Sequence, residues 1–260
     1  MIIQSLSPSM VNQYRKCPRQ FFYSEVARLP YLPSSDLAFG AAAHETFRET
    51  HYQKINTGED LPIGLLQVFF CEDLECRDVD WSTKSLSKTK DEGVITVKAY
   101  MEKIAPGVQP AYVEHSWIWR REGKVTVSGK TDLITIENDV LELKTTGKQL
   151  DGYKSGKPKP KDGHSFQVGA YVAARREETG VPDIQGRLDY SIRGKEDVCS
   201  IPLNFSSDLS RNILAAFDDV AGWIEREAWP PSRHGNYLCS RKYCQHWNQC
   251  EKDCGGRVSE

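Results

Sequence analysis

The chain has 260 residues, a formal net charge of −2, 39% hydrophobic and 27% charged residues, which is the composition of one ordered globular domain spanning residues 1–260. It contains no run of roughly 20 apolar residues that could span a bilayer, and its first residues lack the basic and apolar regions of a signal peptide. We therefore expect a cytoplasmic protein without a membrane partner, in which any binding of nucleic acid depends on local patches of charge.

The N-terminal part of the sequence predicts a helix over residues 9–25. Ser7 can accept hydrogen bonds from the free N–H groups at its start, and Pro8 suits the first helical position. Pro18 lacks an N–H group and is expected to break or restart this helix directly after Cys17.

A second helix is predicted over residues 39–54, with His44 in its first turns. The small residues at positions 40–43 would let this part of the helix pack closely against a neighbour.

The pattern then changes to alternation of apolar and polar residues, rich in Val, Ile, Thr and Trp. It predicts three consecutive strands over 112–120, 124–136 and 140–146. Strands joined by such short connections favour an antiparallel meander.

The rest of the chain predicts a loop and two helices. Residues 148–164 are rich in Gly, Lys, Pro and Asp and should form a loop. Ser165 is expected to cap a helix that reaches Glu178, and Gly180 to end it. A last helix is predicted over 207–228, before Pro230 and a cysteine-rich tail.

Two carboxylates and a lysine lie on the second and third predicted strands. Glu142 and Lys144 are two residues apart and so share one face of a strand. A three-residue loop at 137–139 would set Asp132 directly opposite Lys144 on that face. Carboxylates hold Mg²⁺ or Mn²⁺ for phosphodiester hydrolysis, while the ammonium offsets developing charge. By spacing alone, an exposed ion pair without function is the commoner interpretation.

Four motifs in order resemble the RecB-type branch of the PD-(D/E)xK nucleases, which includes CRISPR adaptation nucleases and phage exonucleases. These motifs are Gly129 to Asp132, Glu142 to Lys144, a helical His44 after small residues, and Gln167 with Tyr171. The resemblance extends from residue 6 to residue 250. It implies an α/β fold with a restriction-endonuclease-like core, in which a central mixed β-sheet is flanked by helices.

The resemblance also implies roles for these residues. His44 would be the third metal ligand beside Asp132 and Glu142, since neutral imidazole suits Mn²⁺. Gln167 and Tyr171 share a helix face and would face the active site and DNA, although by residue type they could be a half-buried polar pair. Glu114 is interpreted as a surface residue rather than a supporting acid.

Eight cysteines in a reducing compartment indicate metal ligation rather than disulfides, because four of them lie between positions 239 and 254. Four thiolates can bind an iron-sulfur cluster or tetrahedral Zn²⁺. The family resemblance implies a [4Fe-4S] cluster held by one N-terminal Cys-Pro cysteine and three C-terminal cysteines, here Cys17, Cys239, Cys244 and Cys250.

One spacing departs from the family pattern, since four residues instead of two separate Cys239 from Cys244. Zn²⁺, or replacement of one ligand by Cys254, therefore stays open. The cluster would join segments 1–30 and 229–255 beside a catalytic core over 40–228, and closing so long a loop stabilises a fold. The remaining cysteines fit no ligand spacing and are interpreted as ordinary thiols: Cys71, Cys76 and Cys199.

The loop before the Gln167 helix is a candidate DNA contact because it carries five lysines and one tyrosine. Such a segment can bind phosphates and stack a base, or be only a solvated linker. The predicted contact residues are Tyr153, Lys154, Lys157 and Lys159.

Together these features predict a metal-dependent DNA nuclease, and the resemblance favours an exonuclease acting on single strands or DNA ends. Recombination, repair and CRISPR adaptation would all use the same residues and could each supply protein partners. The alternatives are a catalytically silent DNA-binding or assembly module of the same fold, and an iron-sulfur redox protein. Neither the polarity of digestion nor the oligomeric state can be read from the residues.

Overall fold

The computed structural model describes residues 3–161, 163–232, 239–241 and 243–255. Its helices are α1 (Pro8–Lys16), α2 (Pro18–Phe21), α3 (Ser35–Thr57), α4 (Ile63–Glu75), α5 (Leu86–Lys103), α6 (His164–Thr179), α7 (Leu209–Glu225) and α8 (Trp247–Cys254). Its strands are β1 (Ser5–Leu6), β2 (Pro110–Trp119), β3 (Thr126–Thr135), β4 (Val140–Thr146), β5 (Gly186–Ile192) and β6 (Val198–Leu203). A π-helical turn, Phe22–Val26, follows α2. None of the helices in these residues is long and apolar enough to cross a membrane.

The chain divides into two compact units. The larger unit comprises residues 33–117 and 130–210, and the smaller unit comprises residues 1–32, 118–129 and 211–260.

The larger unit is built on a mixed sheet. Strand β4 is antiparallel to β3 and parallel to β5, and β6 is antiparallel to β5. Helices α3, α5 and α6 pack against these strands. The predicted α/β fold with a central mixed sheet flanked by helices is therefore confirmed.

The core of the larger unit lies among α3, α4, α5 and the sheet. It includes Phe39, Phe47 and Phe70 from the helices and Leu133 and Leu141 from the strands. Helices α4 and α5 approach closely at Gly93, where an added Cβ would lie 1.8 Å from the Phe70 ring. These two helices and strands β5 and β6 were not predicted, because their sequences carry no motif and only weak periodicity.

Three predicted strands are observed within a few residues of their expected bounds, and two helix predictions need correction. The break that Pro18 was expected to cause in the helix over 9–25 is confirmed, since Cys17 is extended with φ −159° and α2 restarts at Pro18. Helix α3 begins before position 39 because Ser34 caps it, so His44 lies in the middle of α3 rather than in its first turns. Ser165 does not cap α6, which begins one residue earlier after Gly163.

In the smaller unit, β1 pairs in parallel with the first residues of β3. Helix α1 is capped by Ser7 as predicted, with the Ser7 Oγ accepting from the Met10 N–H at 3.2 Å. The Tyr14 ring stacks on Trp223, and its hydroxyl donates to the Ala228 carbonyl. These contacts hold α1 against α7 and the segment that follows it.

A buried histidine should make the fold sensitive to acid. His51 hydrogen-bonds Tyr100 at 2.6 Å, and burial, with the charges of Lys54 and Arg187, lowers the pKa of His51 to about 3. The unfolded chain therefore binds one more proton than the folded chain between that pH and the ordinary histidine value of 6.5.

Stability should accordingly fall as the pH drops below 6.5, and this group alone accounts for about 2 kcal/mol between pH 6.5 and pH 5. His51→Gln should lower the free energy of unfolding at pH 7, because it alters the hydrogen bond to Tyr100. Between pH 6.5 and pH 5, however, the variant should lose about 2 kcal/mol less of that free energy than the wild type. Urea unfolding at several pH values measures this difference, with His115→Gln as the control. Equal losses in His51→Gln and the wild type would contradict the assignment.

Candidate active site

Strands β3 and β4 bring the predicted carboxylates together through a three-residue turn. The turn is closed between Thr135 and Asp139, whose backbone groups form a 2.9 Å hydrogen bond, and Asn138 takes the left-handed φ of 73°. Leu133 pairs with Leu141, and continuing this register sets Asp132 level with Glu142.

The predicted loop at 137–139 is therefore wrong by one position, since the turn lies at 136–138. The predicted pairing of Asp132 with Lys144 is wrong by two positions, since Asp132 lies level with Glu142. The Thr135 Oγ1 accepts from the Asp139 N–H at 3.2 Å and fixes the turn earlier in the chain. A shift of two residues preserves the side-chain face, so Asp132 still lies on the side of Glu142 and Lys144.

Asp132 is held from two sides. Its Oδ1 lies 2.7 Å from His44 Nε2, and its Oδ2 accepts from the Leu143 N–H at 2.8 Å. Burial acts to raise the pKa of Asp132, but the hydrogen bond and charge of His44 and the charge of Lys144 hold that pKa below its ordinary value. Burial acts to lower the pKa of His44, and Asp132 and Glu142 together raise it.

Glu142 is the more deeply buried acid and is only half satisfied. Its Oε1 accepts from Lys144 Nζ at 2.5 Å, whereas its Oε2 is buried without a hydrogen-bond partner in the described part of the chain. Burial, with the nearby charge of Asp132, raises the pKa of Glu142 to about 8. Burial opposes the charge of Lys144, but the two carboxylates hold the pKa of its ammonium above the ordinary value.

Gln167 and Tyr171 lie one turn apart on α6. Gln167 Nε2 donates to the Tyr171 hydroxyl at 2.7 Å. Burial and the charge of Glu142 raise the pKa of Tyr171, so this phenol is close enough to sense the buried acid. The ring of Tyr171 also packs edge-on against Trp117 at 5.9 Å.

Glu114 is not the surface residue that the sequence suggested. Its side chain is 15% exposed, and Lys130 Nζ donates to its Oε1 at 2.7 Å. Ligand atoms of Glu114, His44 and Glu45 lie within 4.8 Å of one another. Glu114 therefore joins the edge of the His44 site because β2 turns its side chain inward at a φ of 53°.

Two further residues beside the site were missed. Tyr190 on β5 pairs with Lys144, and its buried hydroxyl lies 2.7 Å from His164 Nδ1. The same hydroxyl accepts from the Lys161 N–H at 3.2 Å, which joins the end of the lysine-rich loop to the sheet. The spacing of His164 and Gln167, three residues apart on one helix face, could have indicated His164.

The lysine-rich loop has a defined backbone. The Lys157 N–H donates to the Gly152 carbonyl at 3.0 Å, and the Lys159 N–H donates to the Asp151 carbonyl at 2.8 Å. The side chains of Lys154, Lys157 and Lys159 are exposed, and Tyr153 is half-buried. A polyanion can therefore reach all three lysines.

The smaller unit contains a separate cavity whose walls include four thiols, those of Cys17, Cys239, Cys244 and Cys250. Cys17 lies at the break between α1 and α2, where its Sγ accepts from the Gln20 N–H at 3.4 Å. Burial and the neighbouring thiols raise the pKa of Cys250 to about 12, and Cys254 is among these neighbours.

The predicted residues are thus distributed over two places. His44, Asp132, Glu142, Lys144, Gln167 and Tyr171 lie in the larger unit, and the four thiols lie in the smaller unit. The other four cysteines are not among the residues that line the thiol cavity: Cys71, Cys76, Cys199 and Cys254.

Two solved structures are similar to this chain. A candidate exonuclease from Eubacterium rectale aligns over 92% of this chain and 87% of its own, with a TM-score of 0.58 and 11% sequence identity. The structure of SSO0001 aligns over 100% of this chain and 89% of its own, with a TM-score of 0.46 and 16% identity. No curated protein matches the sequence.

At these identities the first structure shows a shared fold. The profile of the PD-(D/E)XK nuclease superfamily matches residues 5–251, which cover nearly the whole chain. The chain therefore belongs to the PD-(D/E)XK nuclease superfamily.

Proposed function

We propose that this protein is a metal-dependent DNA exonuclease that acts on single strands or DNA ends. The observation that carries the proposal is the buried Glu142, which lies next to Asp132 and Lys144 and whose Oε2 has no hydrogen-bond partner among the residues described. A buried carboxylate oxygen without a donor is costly unless it binds a cation.

The residues present fit a hard divalent cation. Oxygen atoms of Asp132 and Glu142 are the donors that Mg²⁺ and Mn²⁺ prefer, and His44 adds an imidazole that suits Mn²⁺. Nearby positive charge would also lower the raised pKa of Glu142, because it offsets the repulsion from Asp132. The three side chains would hold the ion, with His44 reaching it in place of its present bond to Asp132.

When bound, Mg²⁺ or Mn²⁺ polarises the phosphoryl oxygen and lowers the pKa of the attacking water. Lys144 keeps its proton and places an ammonium beside the charge that develops on the phosphate. Gln167 and Tyr171 offer amide and hydroxyl groups that orient the phosphodiester. Water oxygen bonds to phosphorus, and the bond to the leaving nucleotide oxygen breaks.

The lysine-rich loop supports DNA as the substrate. Tyr153, Lys154, Lys157 and Lys159 would bind phosphates and stack a base, and Tyr190 connects the end of this loop to the strand next to Lys144. Exonuclease action is favoured over internal cleavage by the RecB-type motifs and by the name of the Eubacterium rectale protein. DNA recombination, DNA repair and CRISPR adaptation are pathways in which such an exonuclease would act.

A catalytically silent DNA-binding module is the alternative. It is disfavoured because Asp132, Glu142 and Lys144 are all present and within hydrogen-bonding reach of one another or of His44.

A second part of the proposal is a [4Fe-4S] cluster ligated by Cys17, Cys239, Cys244 and Cys250. All four thiols line one cavity, and burial together with the neighbouring thiols raises the pKa of Cys250. A cationic metal centre removes this repulsion because it binds the thiolate form. Four thiolates also suit Zn²⁺, and Cys254 is close enough to Cys250 to be a substitute ligand.

The nuclease is tested with end-labelled single-stranded and duplex DNA in the presence of Mn²⁺ or Mg²⁺. We expect Asp132→Asn and Lys144→Ala to lose at least about 100-fold in rate, because each removes charge at the reacting phosphate. Lys98→Ala, an exposed lysine on α5, should retain wild-type activity.

Circular single strands separate the two modes of cleavage, since an exonuclease leaves them intact and an endonuclease opens them. The position of the label gives the polarity. Metal-dependent cleavage that survives in Lys144→Ala would contradict the proposed site, and intact DNA with folded wild-type protein would favour the binding module.

Glu142 should make the metal-free protein less stable as the pH rises. Its pKa in the folded state lies above the ordinary value of 4.5, so the folded chain binds more protons than the unfolded chain between pH 4.5 and about 8. Glu142→Gln should therefore raise the Tm of the metal-free protein at pH 8 more than at pH 5.

The same variant should also lose most of the Tm increase that Mn²⁺ gives the wild type, because one ligand is absent. Thermal unfolding with and without Mn²⁺ measures both effects, and Glu72→Gln on the exposed face of α4 is the control. An equal Mn²⁺ response in Glu142→Gln and wild type would show that the ion binds elsewhere.

The cluster is tested by anaerobic purification, metal analysis and absorbance near 400 nm. We expect about four irons and four sulfides per chain. Cys244→Ser should lose the absorbance and unfold at a lower temperature, while Cys199→Ser should keep both. Stoichiometric zinc without iron would favour the zinc alternative.

A further inference from the structure

Two buried N–H groups beside the thiol cavity have no acceptor. They are the indole Nε1–H of Trp247 and the Nε–H of Arg19, and neither has a hydrogen-bond partner among the residues that the structure describes. Both side chains line the cavity together with the four thiols. Trp247 is only 3% exposed, so water does not readily satisfy its indole.

Backbone hydrogen bonds hold both residues in place, and ring contacts hold the Arg19 side chain. The Trp247 backbone N–H donates to the Cys244 carbonyl at 3.0 Å, which places the indole at the start of α8. The Arg19 backbone N–H donates to the Pro230 carbonyl at 3.1 Å. The Arg19 guanidinium lies over the Phe22 and Tyr23 rings, at 5.8 and 5.9 Å from their centroids.

A buried donor without an acceptor destabilises the fold, so an acceptor in the cavity would offset that cost. Neutral thiols are weak acceptors, whereas the thiolate and sulfide sulfurs of an iron-sulfur cluster carry negative charge. The two orphaned donors therefore match an anionic sulfur centre better than they match four free thiols.

We propose that Trp247 and Arg19 donate N–H···S hydrogen bonds to the cluster sulfurs and thereby set its reduction potential. This inference rests on the [4Fe-4S] cluster proposed above. One-electron reduction by dithionite adds negative charge to the cluster, and donors to sulfur stabilise the reduced form more than the oxidised form. Loss of either donor should make the potential more negative.

The test is a dithionite-mediated redox titration of anaerobically purified protein, followed by electron paramagnetic resonance. Trp247→Phe removes the indole N–H and keeps an aromatic ring, and Arg19→Lys removes the Nε–H and keeps a positive charge. At the wild-type midpoint potential, the ratio of reduced to oxidised cluster should fall by about tenfold in each variant, the ratio that 59 mV gives a one-electron couple.

Trp223→Phe is the matched control, because Trp223 is 40% exposed and does not line the cavity. Its cluster should titrate like that of the wild type. Should Trp247→Phe fail to retain iron, the wild type supplies a second measurement, since protons hydrogen-bonded to sulfur exchange in D₂O and give an electron-nuclear double resonance signal.

The outcomes separate this inference from the cluster proposal. Absence of iron and sulfide from the wild type would overturn both. A cluster whose potential is unchanged in Trp247→Phe and Arg19→Lys, or a wild type without exchangeable protons near sulfur, would overturn the hydrogen bonds alone. A more negative potential in both variants but not in Trp223→Phe would establish them.

Discussion

The candidate active site in the larger unit depends on the burial of two carboxylates, Asp132 and Glu142, next to each other. Asp132 and Glu142 repel each other, and burial adds to the cost of charging either acid. The two acids differ in their hydrogen-bond partners and therefore in their pKa. Asp132 receives the His44 hydrogen bond and a backbone N–H and stays ionised, whereas Glu142 has one cation and one unpaired oxygen and holds its proton more tightly. In the proposed function this asymmetry favours a bound cation, because a positive charge near Glu142 would offset the cost of burying two neighbouring carboxylates.

The same reasoning applies to the cavity in the smaller unit, with sulfur in place of oxygen. Cys17 and Cys250 belong to segments far apart in the chain, and their thiols face the same cavity. Burial and then the neighbouring thiols favour the neutral form and raise the pKa of Cys250, whereas a bound metal would favour the thiolates. Trp247 and Arg19 add two buried N–H groups that have no acceptor within the ranges that the structure describes. An iron-sulfur centre would supply a metal for the thiolates and an acceptor for these N–H groups.

Local pattern was a good guide where a residue type had a local physical cause. Ser7 caps α1, Gly180 ends α6 with a left-handed φ of 71°, and alternation located β2, β3 and β4. The same patterns gave wrong predictions where a hydrogen bond or a backbone conformation outside the pattern determined the structure. The turn at Thr135 closes earlier than expected because a side chain reaches the Asp139 N–H, and Glu114 turns inward at a strained position on β2. Neither feature has a signature that strand alternation could reveal.

The sequence by itself determined the superfamily motifs and the face on which Asp132, Glu142 and Lys144 lie, since side chains alternate along a strand whatever the register. It also determined which cysteines had the spacing of ligands. Only the tertiary structure decided how these groups share charge. The parallel pairing of β4 and β5 places Tyr190 beside Lys144, and α3 brings His44 to Asp132 across 88 positions of the chain. Hydrogen bonds and desolvation depend on distances of a few ångströms between such remote segments, and no local pattern encodes those distances.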